Sequence, residues 1–137
     1  MSANTNANMS DLIYKDECYK IYGICYDIQN KVGSVFNERQ YQDVLEVKLK
    51  AEGIPYEREK DLLFDLGNEA KFGGNKVDFV VFGKIAVDLK AKKFITREDF
   101  RQMMRYLKSG KYKLGLVVNF RGNKVVIKRV VNSGISI

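Results

Sequence analysis

Histidine is absent from this 137-residue chain and cysteine occurs only twice. Cys18 and Cys25 stand seven apart in a helical pattern, and without further thiols or any imidazole they cannot form a zinc site of the ordinary four-ligand kind. They read as buried free thiols in a reducing compartment. No apolar run approaches the roughly 20 residues a membrane-spanning helix needs, and the polar opening MSANTNANMS is no signal peptide. The expected location is the cytoplasm, with no membrane partner. The pattern GxxxxGK[ST] is missing, which excludes a phosphate-binding loop of that type. There is neither an internal repeat nor a linker. We expect one domain at residues 10–137 behind an Asn- and Ser-rich, disordered tail at 1–9.

What the chain does have is positive charge. Lys and Arg total 24 against 17 Asp and Glu, a net charge of +7 and an isoelectric point near 9.4. Such an excess suits a polyanionic partner and shifts expectation towards nucleic acid.

The most informative stretch is KVDFVVFGKIAVDLKAKK at Lys76 to Lys93. Two apolar runs rich in β-branched and aromatic residues flank the turn signal Gly83-Lys84, which predicts a β-hairpin. Its strands carry only Asp78, Asp88 and Lys90 as charges. Alternation puts Asp88 and Lys90 on one face with Ala86. Asp78 joins them only if the loop has an odd number of residues, such as Phe82-Gly83-Lys84; that odd loop is predicted. The two carboxylates would then have Cβ atoms roughly 5 Å apart, with a repulsion of about 3 kcal/mol at an effective dielectric near 20. Lys90 cancels one charge, and a divalent cation is the usual remedy for the rest. The alternative is a solvated sheet face. Val80, Phe82 and Ala86 share the predicted face and argue that it is covered.

Helical periodicity over Ser10 to Val32 gives a buried stripe of Cys18, Ile21, Cys25, Ile28 and Val32, ended by Gly33. A second helix, capped by Ser34 or Asn37 and running to Gly53, buries Tyr41, Val44, Leu45 and Leu49. Glu38, three residues before Tyr41, falls on the same stripe and is expected to point inward towards the hairpin, although an acid in a first turn needs no function. Tyr56 to Leu66 reads as an edge strand that becomes buried at Leu62, Leu63 and Phe64. Gly67 to Asn75 reads as a loop, with Gly73-Gly74 its turn signal. Thr96 caps a third helix with core residues Phe100, Met103, Met104 and Leu107, and Asp99 completes a capping box. Arg97, Arg101, Arg105 and Lys108 form a basic flank, a solvated face or a track for phosphates. Gln102 and Tyr106 lie one turn apart on another side. Lys113 to Phe120 reads as a buried strand and Val125 to Val131 as an edge strand. The order α-α-β-β-β-α-β-β predicts an α/β fold, a three-layer sandwich with a mixed central sheet.

With these residues in order, Glu38, Asp78, Asp88-Leu89-Lys90 and Gln102 to Tyr106, the chain resembles the PD-(D/E)XK restriction-endonuclease-like superfamily from about Lys15 to Val131. More narrowly it is similar to the GxxExxY proteins, through GSVFNERQY, GIPYERE, VDFVV, AVDLKA, QMMRYL and LGLVVNF. The resemblance implies a restriction endonuclease-like core. It implies that Asp78 and Asp88 are metal-binding acids, that Glu38 supports the metal or its water, and that Lys90 orients the attacking water or stabilises charge at phosphorus. Gln102 and Tyr106 match a QxxxY motif that adjoins the active site and DNA. Four positions depart from the pattern: Val77 replaces the Pro of the superfamily's name, Asp88 stands where Glu is commoner, Gln29 where His is frequent, and Val35 where Gly is frequent.

Glu38, Asp78 and Asp88 sum to −3, Lys90 returns +1, and the residual −2 matches one Mg2+ or Mn2+. The expected activity is metal-dependent hydrolysis of nucleic-acid phosphodiesters, DNA rather than RNA, by a nuclease. Arg97, Arg101, Arg105 and Lys108 would hold phosphates without reading bases. The rival expectations are a module that binds nucleic acid without cutting it and a protein-interaction subunit, a homodimer among its forms.

Overall fold

The structure, a computed structural model, describes residues 13–65, 67 and 71–136. The expected tail, the start of the first predicted helix at Ser10 and most of the segment 66–70 lie outside the described residues. Helix α1 spans Lys15–Val32 and α2 spans Glu38–Ala51; strands β1 (Tyr56–Asp65), β2 (Lys71–Val81) and β3 (Ile85–Lys90) follow. Helix α3 (Arg97–Gly110) then leads to β4 (Leu114–Asn119) and β5 (Val126–Val131). The sheet runs in chain order from β1 to β5, antiparallel except for the β3/β4 pair. It is the α/β fold with a five-stranded mixed sheet expected of a restriction-endonuclease-like protein.

Two hydrophobic cores make three layers. Ile21, Cys25, Ile28, Tyr41, Leu45 and Leu49 of α1 and α2 cover Phe79, Val81, Val87, Leu89, Leu116 and Val118 on one face of the sheet. Met103, Tyr106 and Leu107 of α3 cover Val77, Val80, Ala86 and Val117 on the other. Cys18 and Cys25 are buried free thiols, and burial pushes the Cys25 thiol up to about 12. Gly33, at φ 72, ends α1. Asn37 caps α2 and exchanges 2.9 Å hydrogen bonds with Gln40. Tyr41 stacks on Phe120 with centroids 4.3 Å apart and planes within 9°, and its hydroxyl donates to the Gly33 carbonyl at 2.6 Å. This contact fixes the first turn of α2 against the end of β4.

Three local expectations need correction. Gly73-Gly74 is no turn: both glycines lie inside β2, which pairs with β1 as far as Asp65↔Lys71. Gly74, at φ 91, lies near a register shift between Leu62 and Phe64, so the glycines serve a bulge. Leu63 and Phe64 are exposed rather than buried, Phe64 lining a surface cavity with Arg105, Lys108 and Ser109 of α3. Phe82 does not share the face of Val80 and Ala86. It takes a left-handed turn conformation at φ 59 and packs against the α1/α2 core.

Gly115 in β4 is where α3 comes closest to the sheet: a Cβ there would lie 2.3 Å from Met103 Sδ and 3.1 Å from Leu107 Cδ2. Gly115→Val should therefore lower stability in urea unfolding by about 1–3 kcal/mol. A neutral result would show that α3 is not seated on that glycine.

Candidate active site

The hairpin register sets the site. Val81 pairs with Ile85, Val80 with Ala86 and Phe79 with Val87, so the loop holds three residues, Phe82, Gly83 and Lys84, as the odd-loop expectation required. Continued one step, that register sets Asp78 opposite Asp88. There the backbone ladder stops, and the Asp78 carboxylate accepts the Leu89 N–H at 2.7 Å in place of a carbonyl. Across β1 from Asp78, between the pairs Arg58↔Phe79 and Lys60↔Val77, Glu59 adopts φ 52. Regular alternation in β2 is broken at that point, since Val77 and Val80 pack in the same core. Such distortions re-aim side chains. Here the distortion lies beside an acid.

Asp78 and Asp88 come within hydrogen-bonding reach of each other, and Asp88 is only 4% exposed. Burial first, and then the Asp88 charge, push the Asp78 carboxyl up to about 8, against the opposing pull of the Leu89 N–H and Lys90. Lys90 reaches Asp88 at 2.9 Å and donates to Gln102 Oε1 at 2.8 Å. Burial works against its charge, but Asp88, Glu38 and Asp99 outweigh that, and its pKa is raised. Lys90 is an ammonium, unsuited to act as a base. Tyr106, 6% exposed, has its phenol pushed up by burial and by the nearby Asp88 and Asp78. It stays neutral.

Asp99 is the residue that sequence reasoning undervalued. Beyond closing the capping box of α3 with Thr96, it bonds the Lys92 ammonium at 2.7 Å and lies 3.9 Å from Lys90 Nζ. Burial opposes its charge, but Lys92 and the Thr96 amide and hydroxyl lower its pKa. Asn119, at the end of β4, holds the Lys92 backbone by accepting its N–H at 3.1 Å and donating to its carbonyl at 2.8 Å. The signal available in the sequence was Lys92 itself, two residues beyond Lys90.

Glu38 is placed differently from the other acids. It is exposed, in the first turn of α2, and lines a cleft of about 640 Å3 with Asn37, Ala91 and Arg121. Its charge acts on Lys90. Yet no three His, Cys, Asp or Glu side chains among the described residues gather closely enough to hold a metal. Gln29 ties α1 to the neighbouring loop by donating to the Gly122 carbonyl at 3.1 Å. Arg97, Arg101, Arg105 and Lys108 are all exposed on α3; Arg105 and Arg101 approach Glu98 at 3.2 and 3.6 Å. By helical geometry, Gln102 lies about 60° around the axis from Arg105.

A pair of acids, one buried and one half-buried, with an ammonium two residues along the strand and a crossover helix facing them, is an arrangement found on many chemistries. The sequence narrows it: residues 15–130 match the family described as the PD-(D/E)XK nuclease superfamily. The chain belongs to that superfamily. Among solved structures, the crystal structure of SSO0001 is similar with a TM-score of 0.55 at 19% identity, over 69% of this chain. The match spans 49% of that protein, about half its length, and shows the fold alone. No curated protein matches in sequence. Members of this superfamily are typically nucleases, and they generally use divalent metals. Among the described residues no helix is long and apolar enough to cross a membrane.

The residues fit such a metal in their chemistry. Asp78 and Asp88 offer oxygen donors only, which suit a hard divalent cation. An acid held up to about 8 by burial first and its twin's charge second is one whose ionised form a neighbouring divalent cation would favour. Stability should register this. The folded pKa of Asp78 lies above the ordinary value of 3.8, so the folded protein binds the proton more tightly than the unfolded chain does. Stability contributed by that proton is complete below about pH 4 and is lost as pH rises to about 8. In buffer free of divalent cations, the urea midpoint should fall over that interval, and Asp78→Asn should flatten the fall. An identical slope in the variant would show that Asp78 ionises normally.

Proposed function

We propose that this protein is a divalent-metal-dependent nuclease that hydrolyses phosphodiester bonds of DNA rather than RNA, and that within its superfamily it is a cytoplasmic GxxExxY protein. The observation that carries the reading is the pairing of half-buried Asp78 with buried Asp88 beside the Lys90 ammonium.

Asp78 and Asp88 would hold a Mg2+ or Mn2+ ion, which when bound supplies Lewis-acid polarisation of a phosphate oxygen and a water of lowered pKa. Glu38 would face the same substrate from across the cleft. Lys90, charged and fixed between Asp88 and Gln102, is suited to stabilise charge that grows on the phosphoryl oxygens. Gln102 positions Lys90, so its amide sets where that charge sits. Tyr106 stays a neutral phenol beside the acids and can donate but not carry charge. Arg97, Arg101, Arg105 and Lys108 supply cations for neighbouring phosphates without reading bases.

One observation favours a second reading, a module that binds nucleic acid without cutting. Glu38 is exposed and stands outside any three-acid cluster among the described residues.

Incubating the protein with labelled single- and double-stranded DNA and RNA, in Mg2+, Mn2+ or EDTA, separates the two. Cleavage should require the metal, favour DNA and fall about 10²- to 10³-fold in Asp88→Ala and in Lys90→Met. Cation-dependent cutting that survives both changes would sink the assignment, and binding without cutting would favour the second reading. Arg97→Ala should lower affinity for every sequence alike and reduce the salt slope of binding by about one. An unchanged slope would remove Arg97 from the interface.

A further inference from the structure

An exposed phenylalanine is ordinary in isolation. Phe94 is not isolated. It is 69% exposed in the loop 91–96 that joins β3 to α3, immediately beyond Lys90. This loop is fastened on both sides of Phe94: Asn119 holds the Lys92 backbone by two hydrogen bonds, the Lys92 ammonium pairs with Asp99, and Asp99 accepts the Thr96 N–H at 2.7 Å. The backbone on either side of Phe94 is therefore held, and a phenylalanine has only two side-chain torsions to order on binding. Lys93 Nζ lies 5.8 Å from its centroid. Exposed Arg97 follows on α3, and exposed Arg121 shares the Glu38 cleft with Ala91, the first residue of the same loop. Neither arginine has an acidic partner among the described residues.

Fixed aromatic surface set among cations is what binds an unpaired polynucleotide, through base stacking and phosphate attraction. A duplex keeps its base faces inside the stack, so Phe94 would find no partner there. We infer that Phe94 is a stacking platform for a base of single-stranded nucleic acid, and that the substrate is a single strand. For its place in a reaction the inference rests on the nuclease reading. Phe94 stands four positions beyond Lys90, at most about 14 Å of chain, or about four stacked nucleotides. The stacked base is close to the bond to be cut.

The chain contains no tryptophan, so Phe94→Trp introduces its only indole. Titrations in EDTA with a dT12 oligonucleotide and with a blunt duplex of equal length avoid cleavage and are followed by fluorescence quenching and by anisotropy of labelled probes. The single strand should quench the indole in step with its anisotropy change, and the duplex should not. Phe94→Ala should weaken binding of the single strand roughly 5- to 150-fold and leave duplex binding unchanged. A Tyr19→Trp control on the exposed side of α1 should stay unquenched. Single-strand binding without quenching at position 94, equal loss for both probes, or no binding of dT12 would each overturn the inference. Phe94-dependent binding by a protein that cuts nothing in Mg2+ or Mn2+ would overturn the nuclease reading alone.

Discussion

The parity of one turn determines whether this protein has a site at all. With three residues between Val81 and Ile85, Asp78 and Asp88 fall opposite each other; with two, they would leave opposite faces of the ribbon. The turn is not an easy one, because Phe82 and Gly83 both have positive φ, 59° and 69°. Glycine takes that conformation without penalty, whereas phenylalanine does not. Burial of Phe82 against the α1/α2 core offsets the difference, so the core on one face of the sheet helps to set the register that faces the other.

Bringing a buried and a half-buried carboxylate together is unfavourable, and what surrounds them shows how the fold tolerates it. Lys90 neutralises one, the Leu89 N–H serves the other, and Gln102 saturates the ammonium. The compensation stops short of completion, which is why the Asp78 proton is held to about pH 8. A second ring of polar contacts, Asp99 with Lys92 and Thr96, and Asn119 with the Lys92 backbone, fixes the loop beyond β3. Each of these groups finds its partner within the cluster. A buried polar cluster satisfied on all but one side specifies its geometry well and leaves that side reactive.

Much of this was legible in the chain because it depends on period and parity. Alternation placed Asp88 with Lys90, the odd loop brought Asp78 beside them, and helical spacing set Gln102 and Tyr106 one turn apart. Element order gave the mixed sheet between two helical layers. The failures have a common cause: they concern groups whose meaning depends on what lies across space. Gly73-Gly74 reads as a turn wherever glycines meet, and only the pairing with β1 reveals a bulge. Leu63 and Phe64 look like core, yet both stay at the surface, Phe64 beside Arg105 and Lys108 of α3 rather than beneath its apolar stripe. Asp99 has an adequate local explanation as a cap, which hid its contacts with Lys92 and Lys90. Nothing in sequence spacing revealed the left-handed Glu59 opposite Asp78.

Glu38 shows how the two helical layers meet at one end of the sheet. It belongs to α2, on the face away from α3, and reaches the neighbourhood of Lys90 only because the first turn of α2 is anchored by the stack of Tyr41 on Phe120, the residue that follows β4. That residue is itself bonded back to β3, its N–H donating to the Lys90 carbonyl at 3.0 Å. The backbone of Glu38 is thus tied through Tyr41 and Phe120 to the strand that carries Asp88. Its side chain is not: exposed and unburdened by burial, it gives up about 1.5–2 kcal/mol of rotamer freedom if it is ever fixed. A site built this way pairs two preorganised carboxylates with one that is free to move, and any ordering of Glu38 must be driven by the positive charge it meets across the cleft.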